Sequence, residues 1–372
     1  MNRISFAKLS SGLGLSLSLL GTTVKADQGG ALYTMDNAAS VNHVLVFRRT
    51  ENGQITSAGS VATGGAGTGA GLSDQGAVLL SQDGRWLFVC NAGSDEISVF
   101  AIAPGSLQLV DKVSSGGHLP LSLTQRHNLL YVLNAGGTVG DKDNLTGFVF
   151  AGGRLVPLPE STRALSGDNT GPAQVSFTQD GNALVVTERL TGLIDTFTLG
   201  DDGLAATYKM FQSQGPTPFG FAVGRSDRIF VSEANAGVNN GSSVSSYTVS
   251  PVGDLEVISG AIPTRQSSAC WLTLSPDGRF IYTANAASGS ISGFSVASDG
   301  TLHLLDPDGV TAATGASSHP VDMAESRDGR FLFVLANGNG TLGSFHVSPS
   351  GSLQSVGFAS GIPASAAGLA AQ

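Results

Sequence analysis

The stretch Ser275–Val296, SPDGRFIYTANAASGSISGFSV, decides the fold because the chain contains two close copies of it. The copies read SQDGRWLFVCNAGSDEISVFAI from Ser81 and SRDGRFLFVLANGNGTLGSFHV from Ser326. In each copy a polar Asp-Gly-Arg turn leads into an apolar run, which is followed by a Gly/Ser/Asn-rich loop and an alternating run. Alternation interrupted by turn residues predicts short antiparallel β-strands, four in each unit.

Weaker copies fill the rest of the chain. They begin at Thr124, Thr178 and Gly224. The N-terminal segment ALYTMDNAASVNHVLVF lacks a first strand, whereas the C-terminal segment IPASAAGLAAQ resembles a first strand with nothing after it. Joined, the two ends complete a seventh unit, and a period of about fifty residues is typical of β-propeller blades. The sequence therefore predicts an all-β, seven-bladed propeller over residues 27–372, a single domain closed by pairing of Ala366–Ala371 with Leu32–Met35.

Residues 1–26 resemble a secretory signal peptide. Arg3 and Lys8 supply positive charge, Leu13–Leu20 supply a short apolar run, and Val24–Ala26 offer small residues for cleavage. We therefore expect a secreted protein, extracellular or periplasmic. The alternative is a disordered N-terminus of a cytosolic protein.

Composition limits the classes of partner. The chain contains 51 glycines and 13% charged residues and carries a net charge of −9, which favours many tight turns and disfavours nucleic acid and anionic membranes. No segment reaches the length of a membrane-spanning helix. Cys90 and Cys270 fall in different blades, so we expect two buried thiols. We expect a monomer whose partner is a small-molecule substrate.

Candidate catalytic residues come from the positions that end the second strand of each unit. Asn and Asp suit the start of a turn, but Glu does not, so Glu188 and Glu233 are predicted to be catalytic carboxylates facing the channel mouth, with Arg189 beside them. The alternative for Glu188 is a structural ion pair with Arg189. The seven positions are Asp36, Asn91, Asn134, Glu188, Glu233, Asn285 and Ala336.

Candidate substrate-binding residues come from this ring and from the loops between units. The loops SSGGHLP and ASSHP place His118 and His319 at what we expect to be matching positions, and aromatic residues follow in the inner strands. Either the aromatic side chains form the wall of a polar pocket or they simply fill the channel. The predicted set is His118, His319, Phe219, Phe221, Trp271, Asn285 and Asn134.

No metal or cofactor is expected. The stretch GDKDN, which includes Asp141–Asn144, lacks the full spacing of a calcium loop. The sequence contains no nucleotide-binding loop and no serine-hydrolase elbow.

The repeats SPDGRFIYTAN and SRDGRFLFVLANG resemble those of the seven-bladed β-propeller lactonase family, which includes phosphogluconolactonases and carboxymuconate lactonizing enzymes. The resemblance covers residues 31–372, and stretches such as VVTERLTGLIDTF and SACWLTLSPDGRFIYTAN are similar to an exported branch. The chain departs from the family pattern at Pro172–Val175 and at Glu188–Gly192, so the lactonizing mechanism does not transfer residue by residue.

The resemblance implies an exported hydrolase or cyclase that acts on a lactone or a related carboxylic compound. The alternative is a non-catalytic secreted propeller that binds a ligand, a wall polymer or a protein partner. A polar pocket with an aromatic wall favours the enzyme, whereas a wide exposed apolar patch favours the binding protein.

Overall fold

Seven antiparallel sheets arranged around one axis make up the protein. The computed structural model describes residues 29–136, 142–206 and 208–372, so the predicted signal peptide and Asp141 lie outside the described residues. Each sheet is one blade of four strands, and blades 3 and 6 each carry one additional short strand. The predicted seven-bladed propeller is confirmed.

Blades 1 to 4 each begin with an innermost strand and continue outward to an edge strand. Blade 1 contains β30 (Ala367–Ala371), β1 (Ala31–Met35), β2 (His43–Arg49) and β3 (Ile55–Ala62). Blade 2 contains β4 (Val78–Leu80), β5 (Trp86–Asn91), β6 (Glu96–Ala103) and β7 (Ser106–Ser114). Blade 3 contains β8 (Pro120–Arg126), β9 (Leu129–Asn134), β10 (Asn144–Ala151) and β11 (Arg154–Pro157), with β12 (Arg163–Ala164) also paired to β10. Blade 4 contains β13 (Pro172–Phe177), β14 (Ala183–Glu188), β15 (Leu193–Thr198) and β16 (Lys209–Gln212).

The remaining blades follow the same order. Blade 5 contains β17 (Pro218–Val223), β18 (Arg228–Glu233), β19 (Ser243–Val249) and β20 (Leu255–Pro263). Blade 6 contains β21 (Ala269–Leu274), β22 (Phe280–Asn285), β23 (Ser290–Val296) and β24 (Leu302–Leu304), with β25 (Ala312–Ala313) also paired to β23. Blade 7 contains β26 (Pro320–Glu325), β27 (Phe331–Ala336), β28 (Thr341–Val347) and β29 (Leu353–Ser360).

The chain ends meet in blade 1. Strand β30 pairs antiparallel with β1, with Leu32 opposite Ala371 and Met35 opposite Ala367. It lies innermost, between the inner strands β26 of blade 7 and β4 of blade 2. The last strand of the chain therefore supplies the first strand of the first blade, as the sequence predicts.

The Asp-Gly-Arg repeat is a tight turn between the first and second strands. In blade 6 the Ser275 hydroxyl donates to Asp277 at 2.7 Å and accepts from the Phe280 amide at 2.9 Å, while Arg279 pairs with Asp277 at 2.6 Å. Gly278 has a φ of 77°, a backbone conformation that favours glycine. The same bonds occur in the turns that begin at Ser81 and Ser326, so the repeated letters encode one repeated turn.

Side-chain burial follows the position of each strand. All six residues of β22 are buried, whereas β7, at the outer edge of its blade, alternates exposed and partly buried residues. Apolar side chains from the faces of neighbouring blades pack into the core between them. Both cysteines are buried and free, as predicted.

Helical structure is confined to short segments among the described residues. They are two 3-10 turns, η1 (Arg225–Asp227) and η2 (Asn235–Gly237). Within the same ranges no helix combines the length and apolar character needed to cross a bilayer.

Deleting residues 363–372 is expected to destabilise the whole domain, because β30 closes the ring and its loss leaves β1 with an unpaired edge. Thermal unfolding should shift down by ten degrees or more, which corresponds to roughly 7 kcal/mol or more for a domain of this size. A synthetic peptide of residues 362–372, added in trans, should restore the lost stability in a concentration-dependent way. A truncated chain that unfolds at the same temperature as the full chain would contradict this account.

Candidate functional site

The second strands end at one end of the central channel, which we call the upper end, where the inner strands begin. Each of the predicted ring positions from Asn91 to Ala336 is the last residue of its second strand, and each is almost completely buried. They lie beneath the inter-blade loops, which connect the outer strand of one blade to the inner strand of the next. The ring is therefore covered and does not face an open mouth.

Glu233 is enclosed by donors from its own surroundings. Its carboxylate accepts hydrogen bonds from the Gly215 amide at 2.7 Å and from the hydroxyls of Ser213, Ser243 and Ser245 at 3.0, 2.5 and 2.6 Å. Gly215 must be glycine there, because a Cβ atom would lie 2.2 Å from the Glu233 carboxylate. Glu233 thus fastens the inter-blade loop to blade 5.

Glu188 occupies the same position in blade 4. It accepts hydrogen bonds from the Ser166 amide at 3.0 Å, from the Ser166 hydroxyl and from the Thr191 hydroxyl at 2.6 Å. Both glutamate side chains are 0% exposed, so they do not face a shared open mouth, and their catalytic role stays a prediction. A carboxylate accepts from loop and strand hydroxyls where blades 2, 3 and 6 use an asparagine that donates.

The asparagines of the ring are also structural in their contacts. Asn134 donates to Asn144 at 3.0 Å, and Asn285 donates to Ser290 and Ser292 at 3.1 and 2.9 Å. Both side chains are completely buried, so no substrate contacts them directly in this structure. Their predicted role in substrate binding has no exposed surface to support it.

Asp195 is the acidic neighbour of Glu188. It lies on β15 opposite Val186 and is completely buried, and neither of its carboxylate oxygens has a hydrogen-bond partner among the described residues. Burial and the nearby Glu188 raise the pKa of Asp195 to about 9. The corresponding residue is a serine in two other blades, Ser98 in blade 2 and Ser292 in blade 6. Of these three blades only blade 4 buries an acid at this position, which lowers the stability of the fold.

Arg189 is held by blade 4 but not by Glu188. Its Nε donates to the Gly171 carbonyl at 3.1 Å, and its guanidinium carbon lies 5.3 Å from the centre of the Phe219 ring. No salt bridge joins it to Glu188, so the alternative of a structural ion pair between them is also wrong. Arg189 remains partly exposed at the upper end of the channel.

A repeated backbone conformation places Arg189. The residue before the inner strand has a left-handed backbone in five blades, and in blade 4 its carbonyl accepts a hydrogen bond from the Arg189 amide at 3.0 Å. The five residues are Leu119, Gly171, Thr217, Ser268 and His319, with φ of 53°, 63°, 60°, 55° and 45°.

The two predicted histidines do not match in position. Leu119 is the counterpart of His319, so His118 stands one residue earlier in its loop. His118 contacts Asp95 at 2.7 Å with its side chain 60% exposed, and His319 is exposed. The two side chains lie on the surface of the upper face.

Phe219 and Trp271 form an aromatic wall next to Arg189. Their ring centres are 5.0 Å apart, and the Trp271 indole donates to the Asp74 carbonyl at 2.6 Å. Phe221, by contrast, is 1% exposed and packs in the core with Val185 and Ile194 of blade 4. Phe221 is therefore a core residue, whereas Phe219 and Trp271 stay with the candidate site.

The inter-blade loop from β3 to β4 enters the channel, which the sequence did not predict. We call Asp74–Gly76 the plug segment. The Gln75 amide donates to the Ala173 carbonyl of blade 4 at 3.0 Å, and the Gln75 side chain exchanges hydrogen bonds with Leu272 of blade 6 at 2.7 and 3.0 Å. Gly220 leaves the necessary room, because a Cβ atom there would lie 1.9 Å from Gln75 Oε1. A loop of blade 2 thus reaches across the axis to the opposite blades.

The plug segment brings Asp74 beside Arg189. The Asp74 side chain is 3% exposed, and neither of its carboxylate oxygens has a hydrogen-bond donor among the described residues. Burial and the negative charge of Asp322 raise the pKa of Asp74 well above its usual range, and Arg189 opposes that shift. Burial likewise lowers the pKa of Arg189, which Cys270 and Asp74 partly counter.

Asp322 is the second acid of this group. It stands on the inner strand β26 of blade 7 and is 1% exposed. One carboxylate oxygen accepts from the Met323 amide at 2.7 Å, and the other has no donor among the described residues. Burial raises the pKa of Asp322 to about 8. A charged residue in the otherwise apolar run PVDM was the sequence feature that could have revealed it.

We call Asp74, Asp322 and Arg189, with the wall of Phe219 and Trp271, the channel cluster. Cys270 lies beside it, but burial raises the pKa of its thiol to about 12, so it is not a thiolate nucleophile at neutral pH. Two acids with raised pKa values and one arginine can hold an anion, exchange a proton and orient a carbonyl group. Sequence reasoning found Arg189, Phe219 and Trp271 but missed both aspartates.

No three His, Cys, Asp or Glu side chains of the described ranges come together as a metal site. Of the acidic loop, Asp143 is buried and accepts hydrogen bonds from the Thr170 amide and hydroxyl at 2.6 and 2.7 Å. That carboxylate therefore anchors the loop before blade 4. Independence from metal remains a prediction.

Comparison with known proteins identifies the family. The family model for the seven-bladed β-propeller lactonase matches residues 24–139 and 228–364, more than half of the chain. The chain belongs to the seven-bladed β-propeller lactonase family. Membership implies a small-molecule substrate. No curated protein sequence matches the chain.

Solved structures agree with the fold. A periplasmic gluconolactonase of Pseudomonas aeruginosa is 16% identical, with a TM-score of 0.73 over 92% of this chain and 98% of that one. A candidate 6-phosphogluconolactonase of Bacteroides fragilis is 18% identical, with a TM-score of 0.72 over 94% and 99%. A protein of unknown function from Desulfotomaculum acetoxidans is 16% identical, with a TM-score of 0.69 over 92% and 98%. At these identities the likeness establishes the fold alone.

Replacing Asp195 with Asn is expected to stabilise the protein at pH 8 and to reduce the dependence of its stability on pH. With a folded pKa of about 9 against the usual 3.8 of an aspartate, Asp195 keeps a proton that the unfolded chain releases. Its favourable contribution is full in acid and is lost as the pH rises towards 9.

The measurement is the free energy of unfolding at pH 5 and pH 8. We expect a gain of roughly 1–3 kcal/mol at pH 8 for Asp195→Asn and a much smaller change at pH 5. Asp254→Asn is the matched control, because Asp254 lies in an exposed pair with Lys209 at 2.7 Å. An equal change at both pH values would show that Asp195 does not carry this proton.

Proposed function

We propose that this chain is an exported lactonase that hydrolyses a lactone at the upper end of the channel, with the channel cluster as its active site. The observation that carries the proposal is the buried Asp74 carboxylate, which has no hydrogen-bond donor among the described residues and lies near both Arg189 and Asp322. A buried polar group without a hydrogen-bond partner lowers the stability of a native structure. Such groups are concentrated at functional sites. Family membership supports the class of reaction.

The chemistry follows from the coupling of the two acids. Two nearby buried carboxyl groups release their protons in separate steps, so one is ionised while the other keeps its proton. The ionised group removes a proton from water as the water oxygen attacks the lactone carbonyl. The protonated group then donates to the ring oxygen as the carbon–oxygen bond of the ring breaks, which yields a hydroxy acid.

Arg189 supplies the positive charge. Its guanidinium is the partly exposed member of the cluster, and two parallel donors suit the oxyanion formed on the carbonyl or the carboxylate of the product. The Phe219 ring beneath the guanidinium holds it in place and, with Trp271, presents an apolar wall to the carbon skeleton of the substrate. We propose an aldonolactone as the substrate class, which the gluconolactonase among the structural relatives supports.

The alternative of a non-catalytic binding protein has weaker support. Two large apolar side chains are well exposed in the turns after second strands, Leu190 at 65% and Val238 at 53%. Single apolar residues of this kind are ordinary on a protein surface, and they do not make a wide patch. Export rests on the composition of residues 1–26, and recovery of a secreted chain that begins at Asp27 would test it.

Replacing Asp74 or Asp322 with Asn is expected to lower kcat on a responsive lactone roughly a hundredfold or more, because the acid–base function is lost while the shape is kept. A panel of γ- and δ-lactones of sugar acids supplies the substrate. Wild-type kcat should rise with pH as the first acid of the pair ionises and fall again as the second loses its proton, whereas an ordinary carboxylate base alone would give a flat profile above about pH 5. Turnover should survive a chelator.

Glu188→Gln and Glu233→Gln serve as controls. Both residues fasten inter-blade loops, so these variants should lower the unfolding temperature and leave kcat within a few-fold of wild type when measured well below that temperature. Loss of turnover in the glutamine variants together with normal turnover in Asp74→Asn and Asp322→Asn would move the site to the ring. Absence of hydrolysis by the wild-type protein across the panel would favour the binding protein.

A further inference from the structure

A cavity of about 490 Å³ lies at the lower end of the channel, where the inner strands end. Its lining comes from blades 3 to 6 and from Gln82 of blade 2, through the last residues of the inner strands and the turns that follow them. The volume is within the range of small-molecule sites. The channel cluster lies at the opposite, upper end of the channel. Arg189 follows β14, and the last residue of β14 pairs with the first residue of the inner strand β13.

The plug segment separates the two ends. Gln75 exchanges hydrogen bonds with Leu272, and the residues that follow, Thr273 and Leu274, line the cavity. The cavity therefore begins directly below the plug and is a site in its own right.

The charge of the cavity is unlike that of the rest of the protein. The whole chain carries a net charge of −9, yet the charged residues of the lining are two arginines, Arg126 and Arg225, with no acid among them. Arg225 is exposed, and within the described ranges its guanidinium makes no hydrogen bond or ion pair. Arg126 donates one hydrogen bond to the Asp180 carbonyl, at 3.1 Å. Arginine N–H groups that are not used within the protein can donate hydrogen bonds to a carboxylate or a phosphate group.

The other polar groups of the lining suit hydroxyls. The Gln125 Oε1 atom is buried and has no donor in the described part of the chain, while Gln179 Oε1 accepts from the Ser226 amide at 2.8 Å. Thr178 and Ser275 also line the cavity, but their hydroxyls already donate to Asp180 and Asp277 of their own turns, each at 2.7 Å. The glutamine side chains of the lining carry both donor and acceptor groups, as a ligand with several hydroxyl groups requires.

The rim of the cavity is built in advance. Asp227 of the blade 5 turn accepts from the Asp180 amide of the blade 4 turn at 2.9 Å, and Arg126 of blade 3 bonds to the same turn. Three successive turns are thereby locked to each other. A preformed rim reduces the ordering that binding would otherwise require.

We propose that this lower cavity is a second ligand site, which binds a small anionic polyol with the anion on Arg126 and Arg225 and the hydroxyls on the glutamine side chains. The lining offers no carboxylate to act as a base, so the site binds without catalysis. It is independent of the channel cluster and of the lactonase activity proposed for it.

Isothermal titration calorimetry on the mature chain tests the proposal with three probes. Gluconate carries a carboxylate, glucose 6-phosphate carries a phosphate, and sorbitol carries hydroxyls alone. We expect saturable binding of at least one of the two anions and none of sorbitol, and the tighter anion identifies the group that the arginines hold. Binding should weaken as salt is added.

Variants then locate the bound anion. Arg225→Gln and Arg126→Gln should each weaken binding roughly tenfold or more, since each removes a charge-assisted hydrogen bond. Arg154→Gln, which removes an exposed arginine from the outer strand of blade 3, should leave affinity unchanged. Arg189→Lys should also leave this binding unchanged, which separates it from any product bound at the channel cluster. Equal affinity in Arg225→Gln, Arg126→Gln and wild type, or equal binding of sorbitol, would overturn the proposal.

Discussion

The antiparallel pairing of β30 with β1 is the constraint on which the rest of the structure depends. A four-stranded blade cannot bury both of its faces alone, so each blade relies on two neighbours, and the ring must close for every blade to have them. Strand β30 lies innermost between β26 and β4, so closure also fixes the distance of every inner strand from the axis. The channel, its two ends and the entry of the plug segment all follow from that closure.

The channel contains groups that packing alone does not explain. Ser122, Gln174, Trp271 and Asp322 occupy the same position after the irregularity in their inner strands, and only the last is an acid. Burying Asp322 and Asp74 without full pairing lowers stability, and a serine or glutamine would fit at the same place. Departures from a repeat that cost stability are expected at functional sites. The acids of the channel cluster are departures of this kind.

Asp195 and Glu188 show that a departure can also be structural. Glu188 takes the place of an asparagine and accepts hydrogen bonds where the asparagines of blades 2, 3 and 6 donate, and its proximity helps to raise the pKa of Asp195. An unusual residue at a repeated position therefore marks a change in local bonding. An unpartnered buried acid is therefore a candidate for function where an arginine lies beside it, as Arg189 does beside Asp74.

The repeat predicted the number of blades, the closure and the buried thiols, because strand alternation and turn residues act locally along the chain. Phe219 and Trp271 were also predicted to lie near the axis, since they stand near the start of inner strands, whereas Arg189 was singled out because it follows Glu188. Asp74 was not, because no linear pattern indicates that a glycine-rich loop crosses the channel to reach Leu272. The burial of the glutamates was not predicted either, since some of the donors that enclose them, Ser166, Ser213 and Gly215, belong to inter-blade loops outside the repeat motif.

The location of the active site is the central claim, and a crystal structure of the Asp74→Asn variant soaked with a lactone or its hydroxy acid product tests it most directly. We predict a ligand at the upper end of the channel, with its carboxyl group within hydrogen-bond distance of Arg189 and its carbon skeleton against Phe219 and Trp271. The amide introduced at position 74 should stand within reach of the reacting carbonyl carbon or of a water beside it. A ligand bound beneath the inter-blade loops at Glu188 or Glu233, with the channel cluster empty, would contradict the account.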